Sequence, residues 1–305
     1  MSNQIDAGLV KAYQANISMA IQQKMSRLRG AVTVESSPNA EFIFKDRVGT
    51  VAAQKRTGRN VEVTYTDTPH DRRRVGMSDF FVADTIDKKD KLRMLADPTS
   101  IYVRTFQAAM NRAIDDALIA AAFDTVYTGK EGTTALTFAQ DNGKDIPYNQ
   151  VEGAAGTGGG TDLSLTVLKL RKTRVLLDKA EVSIEENPDL FIVCPPEGIE
   201  SLLRATEVGS SDYNTVKALA AGDVDTFMGF KFIKSNRLPI YSTDKQDCIA
   251  FARDGMLLNI GEDIFSSVDV LPGRHFVTQV YSSMSVGAVR MWGEKVVKVS
   301  MNRTK

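Results

Sequence analysis

Cysteine, histidine and tryptophan are scarce in this chain of 305 residues, which has two, two and one of them. Two cysteines cannot form a disulfide framework, and His70 and His275 have no second histidine or cysteine at ligand spacing, which argues against a zinc site. Cys194 and Cys248 each lie in an apolar, strand-like run. We expect both to be buried, reduced thiols, which is typical of a cytosolic compartment.

An excess of either charge is also lacking, because 38 Lys and Arg residues balance 38 Asp and Glu residues. A dedicated nucleic-acid binder would be strongly basic, so the balance argues against that class. No run reaches the ~20 apolar residues that a membrane span needs, and the first 30 residues contain no continuous apolar segment of a signal peptide. We therefore expect a protein without a membrane partner.

Motifs of catalysis are missing as well. The glycine-rich run 153–161 is followed by Asp162, whereas a phosphate-binding P-loop needs Lys-Ser/Thr after its last glycine. The chain has no G-x-S-x-G nucleophile motif, although a triad that assembles only in space leaves no such trace. We predict no catalytic residue, no cofactor and no metal site. A soluble α+β enzyme that binds a phosphate ligand through run 153–161 remains an alternative.

Residues 1–75 carry 12 basic and 7 acidic side chains, a local excess of about +5. Within them, apolar residues recur every three or four positions over 4–29, which predicts an amphipathic helix. Such a helix needs a surface to cover, either on a neighbouring subunit or on its own core.

A long polar excursion follows over about 40–85. Phe42–Phe44 and Val61–Tyr65 are strand-like, and the segment between them carries Lys55, Arg56 and Arg59. A hairpin this polar is stable only against another surface. In an extended chain, Arg72, Arg73 and Arg74 point alternately to both faces, which would suit a bridge between two subunits as well as ordinary exposed charge. We expect their joint replacement by Ala to leave a folded subunit that assembles poorly.

Later segments predict a mixture of helices and strands. Asp97 as N-cap, Pro98 at the first position and Gly129 as C′ residue bound a helix over about 98–128. A polar connection over 129–162 leads to a helix that Asp162 would cap. The last third then predicts, in order, a strand at 189–194, a helix at 197–206, a tight turn at Gly229 before a strand, a strand at 248–252, a turn or short helix at 254–260, and extended runs at 264–271, 275–289 and 295–301. This order indicates the α+β class.

Four stretches of this part resemble the major capsid proteins of tailed bacteriophages, the Hong Kong 97-type capsid fold family. They are Asp189–Pro196, Met228–Pro239, Ile249–Gly255, and Val286–Arg290 continuing to Val296–Val299. The resemblance covers most of residues 30–305 and rests on the order and spacing of these stretches. An encapsulin-type nanocompartment shell has a similar fold and is the nearest alternative.

The resemblance implies an N-terminal arm (1–38), an extended β-hairpin loop (39–85), a peripheral domain (86–184) with a long spine helix at about 98–128 and a flexible glycine-rich loop (129–162), an axial domain (185–261), return strands of the peripheral domain (262–290) and a C-terminal strand (291–305). It also implies an icosahedral shell that encloses double-stranded DNA, assembled in the host cytoplasm. Because residues 1–38 are shorter than the scaffolding domain of some relatives, we expect a separate scaffolding protein or assembly mediated by the N-terminal arm. We also expect a portal protein and a possible decoration protein.

The subunits would associate as hexamers and pentamers. As candidate subunit-contact residues we select Lys55, Arg56, Arg59, Arg72, Arg73 and Arg74. Some relatives crosslink covalently through a lysine and an asparagine. Lys55 lies in the corresponding loop, but no partner residue can be assigned, so we predict no crosslink.

Overall fold

The computed structural model describes residues 22–37, 41–60, 62–87, 99–149, 163–182, 189–204, 226–242 and 244–303. These residues form helices α1 (Thr99–Phe123), α2 (Val167–Lys179) and α3 (Pro196–Arg204). Their strands are β1 (Thr33–Ser36), β2 (Phe42–Val48), β3 (His70–Gly76), β4 (Ser78–Ile86), β5 (Val126–Thr128), β6 (Thr134–Leu136), β7 (Lys144–Ile146), β8 (Leu190–Cys194), β9 (Thr226–Phe227), β10 (Phe230–Lys234), β11 (Ile240–Ser242), β12 (Lys245–Ala252), β13 (Met256–Leu271), β14 (Val277–Arg290) and β15 (Val296–Asn302). The mixture confirms the predicted α+β class.

The chain divides into two compact units. The first unit takes the described residues of Met1–Met25 together with Asp79–Ala113 and Glu262–Ser285, and the second takes the described residues of the remainder. The division therefore runs through α1, β13 and β14. The predicted peripheral and axial ranges follow different boundaries, and that domain assignment stays a prediction.

In the first unit, the start of α1 packs against strands β4 and β14, which are neighbours in a sheet of the order β1-β13-β14-β4. Phe106 packs with Ile86 and Val280, which are at least nine-tenths buried. Tyr102 stacks on Phe106 with 6.3 Å between the ring centres. These contacts follow from the apolar positions of α1 at spacings of three and four, which place one stripe of the helix against the strands.

The second unit contains the larger core, built on a sheet in the order β7-β15-β12-β8-β10-β9. Every residue of β8 is buried, as expected for a central strand that is covered on both faces. Helices α2 and α3 contribute Leu170, Leu177 and Leu202 to the core on one of these faces. Lys169 is fully buried in α2, and its Nζ donates to the carbonyl oxygens of Leu163 and Ser300, each at 2.7 Å.

A third sheet, in the order β2-β3-β5-β6, also belongs to the second unit. Strands β2 and β3 pair antiparallel from Phe42 opposite Gly76 to Val48 opposite His70. Val75 and Val126 pack from this sheet against Leu257 and Val289. The sheet thus has a buried face and a face open to solvent.

Several sequence predictions of single elements are confirmed. Strands lie over Phe42–Val48, Leu190–Cys194 and Lys245–Ala252, and the extended runs near the end of the chain are β13, β14 and β15. Met228 and Gly229 have φ values of 53° and 83° and join β9 to β10 in a two-residue hairpin, so the tight turn predicted at this glycine is present.

Other predictions are wrong in the described residues. Helix α1 ends at Phe123 because Val126–Thr128 pairs as a strand with β3, and Gly129 serves the following β turn instead of a helix C-cap. Helix α2 is capped by Thr166, whose side chain accepts from the Lys169 amide, so the cap predicted at Asp162 is misplaced. Residues 22–28 are irregular rather than helical, and residues 256–260 form the start of β13 rather than a turn. Part of the connection predicted as a flexible loop over 129–162 is ordered in sheets, because Thr134–Leu136 and Lys144–Ile146 form β6 and β7. The rest of the predicted N-terminal helix and residues 150–162 lie outside the described residues.

Candidate subunit-contact surfaces

The described ranges contain neither a candidate metal site nor a candidate membrane-spanning helix. No group of three or more His, Cys, Asp or Glu side chains in them could hold a metal ion, and none of their helices is long and apolar enough to cross a membrane. A pocket of about 350 Å³ in the second unit is lined mainly by apolar and aromatic side chains and by the Arg237–Asp116 ion pair. Run 153–161, on which the enzyme alternative depends, lies outside the described residues.

The three consecutive arginines of β3 do not act alike. Their side chains alternate across the sheet, as predicted for an extended chain. Arg73 points inward and is fully buried, whereas the Arg72 side chain on the other face is 41 % exposed. The structure therefore removes Arg73 from the candidate contact residues, because its guanidinium is used within the subunit. For the same reason, the variant with Arg72, Arg73 and Arg74 replaced together by Ala is no longer expected to leave a folded subunit.

Inside the sheet, Arg73 and Arg290 share the carboxylate of Asp141. Arg290 Nε lies 3.0 Å from Asp141 Oδ2, and Arg73 Nη2 contacts Oδ1. Arg290 Nη1 also donates to the carbonyl oxygen of Ala122 at 2.7 Å. All three charged side chains are at least nine-tenths buried. We call Arg73, Asp141 and Arg290 the buried ion cluster.

Position 141 is fixed from a second side by Gly293. A Cβ atom at position 293 would lie 1.7 Å from the carbonyl oxygen of Asp141, so only glycine permits this close approach. Sequence reasoning missed both Asp141 and Arg290. An arginine within the otherwise mainly apolar end of β14 was the one available signal, since a buried charge needs a partner.

Asp71 extends the polar contacts toward the surface. Arg47 Nε donates to Asp71 Oδ2 at 2.7 Å, and the Thr128 hydroxyl contacts the other carboxylate oxygen. Burial favours the neutral acid, but the hydrogen bonds from Thr128, the Arg72 amide and Arg47 outweigh it and lower the pKa of Asp71 to about 2. The carboxylate is therefore charged at any pH near neutrality.

The open face of the third sheet combines arginine with aromatic rings. Arg74 lies over Phe42 at 4.1 Å and near Tyr127 at 5.1 Å from the ring centres. Arg72 lies over Phe44 at 5.7 Å and donates to Asp46 at 2.6 Å. Phe42, Phe44 and Tyr127 are each about two-fifths exposed. We call Phe42, Phe44, Arg72, Arg74 and Tyr127 the arginine–aromatic face, a composition enriched in protein–protein interfaces.

A long loop over residues 49–69 connects β2 to β3. The Gly49 amide donates to the Pro69 carbonyl oxygen at 2.8 Å, which closes the base of this loop. All of its described residues are exposed, including Tyr65 at 91 % and Val63 at 70 %. Residues 62–65 form no strand, so the strand predicted at Val61–Tyr65 is wrong there. We call residues 49–69 the hairpin loop.

The candidate contact residues Lys55, Arg56 and Arg59 lie together on the first half of the hairpin loop. Each is exposed, and no ion pair within the described residues includes any of them. The loop segment from 49 to 60 contains no carboxylate, whereas the second half of the loop carries Glu62 and Asp67, which leaves the whole hairpin loop with a small positive charge. Among the described residues, the hairpin loop thus forms a long, weakly cationic and partly apolar segment that covers no other surface of the subunit.

The first unit also exposes apolar side chains on its strands. Phe81 of β4 is 71 % exposed, and Phe265 and Val270 of β13 are more than half exposed. At the turn from β13 to β14, Phe276 has a φ of 55° and is 61 % exposed. Scattered apolar residues are normal on a surface, but three on the hairpin of β13 and β14 favour contact with another protein.

Comparison with known proteins also indicates a protein that contacts other copies of itself in a shell. The family model described as "Phage capsid protein" matches residues 5–302, almost the whole chain. No curated protein sequence matches. The family match favours a capsid protein over the encapsulin and enzyme alternatives.

Solved phage capsids have the same fold. The capsid protein of cyanophage Pam1 aligns with a TM-score of 0.75 at 12 % identity, covering 97 % of each chain. That of cyanophage P-SCSP1u aligns at 0.72 and 17 % identity, covering 98 % of this chain and 94 % of the other. Helicobacter pylori bacteriophage KHP30 gives 0.72 at 10 % identity, with coverage of 99 % and 98 %. The fold is therefore the Hong Kong 97-type capsid fold that the sequence resembled, and this chain belongs to the phage capsid protein family.

Proposed function

We propose that this protein is the major capsid subunit of a tailed phage and builds the hexamers and pentamers of an icosahedral head around double-stranded DNA. The observation that carries the proposal is the family match over residues 5–302. The exposed hairpin loop and the arginine–aromatic face support it, because clustered exposed apolar and arginine side chains favour contact with another protein.

Contacts between copies would use the two surfaces of the second unit. Lys55, Arg56 and Arg59 of the hairpin loop are free to meet carboxylates of a second copy. Arg72 and Arg74 would contribute through their stacked aromatic partners, which lower the conformational entropy that an arginine loses on binding. Each contact can be weak, because many of them close the shell together.

Other partners follow from the family resemblance alone. They are a separate scaffolding protein, a portal protein, a possible decoration protein and packaged DNA bound without sequence specificity on the inner face. Assembly in the host cytoplasm and the assignment of residues 185–261 to an axial domain belong to the same proposal.

Size measurement of the purified protein tests the function. We expect closed particles of megadalton mass in negative-stain images, either from the subunit alone or after addition of a scaffolding protein of the same phage. A monomer or dimer under both conditions, at low and high salt, would contradict the proposal. The control is a variant with the cluster residue Asp141 replaced by Asn, which should lose particles together with folding.

A further inference from the structure

The two cysteines of the chain lie on neighbouring strands of the large sheet. Strands β8 and β12 are antiparallel, with Val193 opposite Ile249 and Ile192 opposite Ala250. The next pair along this register is Cys194 opposite Cys248. Side chains two residues apart share a face, so both thiols project into the same core as Ile192 and Ala250.

The backbone hydrogen bonds define the spacing of this pair. The Cys194 carbonyl oxygen accepts from the Ser235 amide at 3.0 Å, on the side of β10. The amide and carbonyl of one strand residue point to the same side, so neither group of Cys194 points to β12. Cys194 and Cys248 are therefore a non-hydrogen-bonded antiparallel pair, in which the Cα atoms are about 4.5 Å apart. Disulfides occur at Cα distances of about 4.4–6.8 Å.

We propose that Cys194 and Cys248 form a dithiol modification site that a low-molecular-weight disulfide oxidises to one intrachain disulfide between β8 and β12. One cysteine thiolate attacks the reagent and displaces its first thiol. The second cysteine then attacks the resulting mixed disulfide and displaces the second thiol. Two protein thiols and one reagent disulfide thus give one protein disulfide and two reagent thiols.

The surroundings make this site slow to react. Both side chains are fully buried, and the Cys248 Sγ is in contact with the Met301 Sδ at 3.4 Å. Burial raises the pKa of the Cys194 thiol to about 12, and burial likewise raises that of Cys248. Thiolate is scarce at neutral pH as a result, and oxidation requires transient opening of the sheet.

The bond would lie within one subunit and not between copies. It would close a loop that contains the 53 residues between the two cysteines. Loops of this length restrict the unfolded chain strongly. The inference does not depend on the proposed function, because the pairing concerns the folded subunit in any assembly state.

The test is oxidation of the purified protein by 2-hydroxyethyl disulfide at mildly alkaline pH, followed by alkylation under denaturing conditions and mass spectrometry. We expect loss of both alkylatable thiols, a chain lighter by two hydrogen atoms, and a peptide pair joined through Cys194 and Cys248. A non-reducing gel should show monomers. The melting temperature should rise by about 5 °C and return after reduction.

Variants Cys194→Ala and Cys248→Ala serve as matched controls, since each keeps one thiol and neither can lose two hydrogen atoms. Two alkylated thiols, two separate mixed disulfides, or disulfide-linked dimers in the oxidised wild-type protein would each overturn the inference. These readouts come from the wild-type chain, so they hold even if a variant does not fold. They do not require particles, so failure here is distinguishable from failure of the proposed function.

Discussion

At the scale of single residues, the arginine run of β3 shows how neighbours in sequence take different roles. The strand period predicts that Arg73 faces away from Arg72 and Arg74, and the structure confirms it. The partner of Arg73 could not be predicted, because Asp141 is 68 residues further along the chain and joins it only through the fold. Arg290 reaches the same carboxylate over 149 residues.

Replacing one member of the buried ion cluster should be costly. We expect Arg73→Ala to destabilise the subunit by about 3–5 kcal/mol, because Asp141 loses one of its two buried partners. Arg72→Ala is the matched control on the open face and should cost at most about 1 kcal/mol. Urea unfolding of the soluble subunit measures both. Equal losses of unfolding free energy in the two variants would show that the buried ion cluster stabilises the subunit no more than the exposed pair of Arg72 does.

Asp71 gives a prediction about acid. Its pKa in the folded protein is about 2, below the ~3.9 of an unfolded chain, so its contribution is fully present above about pH 4 and is lost as the pH falls toward 2. The Asp71→Asn variant should therefore have a lower unfolding free energy than the wild type at pH 6. This difference in unfolding free energy should shrink by pH 2.5. Unfolding midpoints at both values test this. Glu62→Gln, on the exposed hairpin loop, should differ little at either pH.

At the scale of elements, the third sheet and its hairpin loop separate what can and cannot be predicted locally. The alternation of Phe42–Val48 identifies β2, because a strand partner lies within reach in β3. The same alternation at 61–65 misleads, since residues 62–65 pair with no strand among the described residues and remain exposed. An alternating sequence pattern shows that a segment can form a strand. Whether the strand forms depends on hydrogen bonds to a neighbouring strand.

Removal of the hairpin loop should separate folding from assembly. The hydrogen bond between Gly49 and Pro69 already closes the base, so replacing residues 50–68 by Asn-Gly should leave the unfolding free energy within about 1 kcal/mol of the wild type. Particles should be absent because the contacts with other copies are lost. Circular dichroism and negative-stain imaging of the same sample test both statements. Normal particles from the shortened chain would show that the loop is dispensable.

At the scale of the whole molecule, the order of elements was predictable and their long-range pairing was not. The α+β class and the capsid resemblance followed from the sequence of helices, turns and strands. The position of β15 between β7 and β12 did not, because it depends on the packing of segments from distant parts of the chain. The aromatic partners of Arg72 and Arg74 were likewise not predictable, because the pairing of strands β2, β3 and β5 brings them together.

Assembly should respond to charge in the hairpin loop. We expect the triple variant Lys55→Ala, Arg56→Ala, Arg59→Ala to form particles at least tenfold less efficiently at low salt, because the Coulomb attraction between copies is lost. The charge-conserving control Lys55→Arg, Arg56→Lys, Arg59→Lys should assemble nearly normally. Wild-type assembly should weaken as salt shortens the screening length from about 10 Å at 0.1 M toward about 3 Å at 1 M. Sedimentation of the particle fraction gives these yields, and equal yields from the two triple variants would exclude the charge effect.

The central claim is that this subunit forms a shell in which the hairpin loop contacts a second copy. Electron cryomicroscopy of purified particles tests it most directly. The account predicts a closed shell in which Lys55, Arg56 and Arg59 approach carboxylates of a neighbouring subunit, while Arg73 stays paired with Asp141 inside its own. A closed shell in which residues 49–69 remain solvent-exposed in every subunit would contradict it.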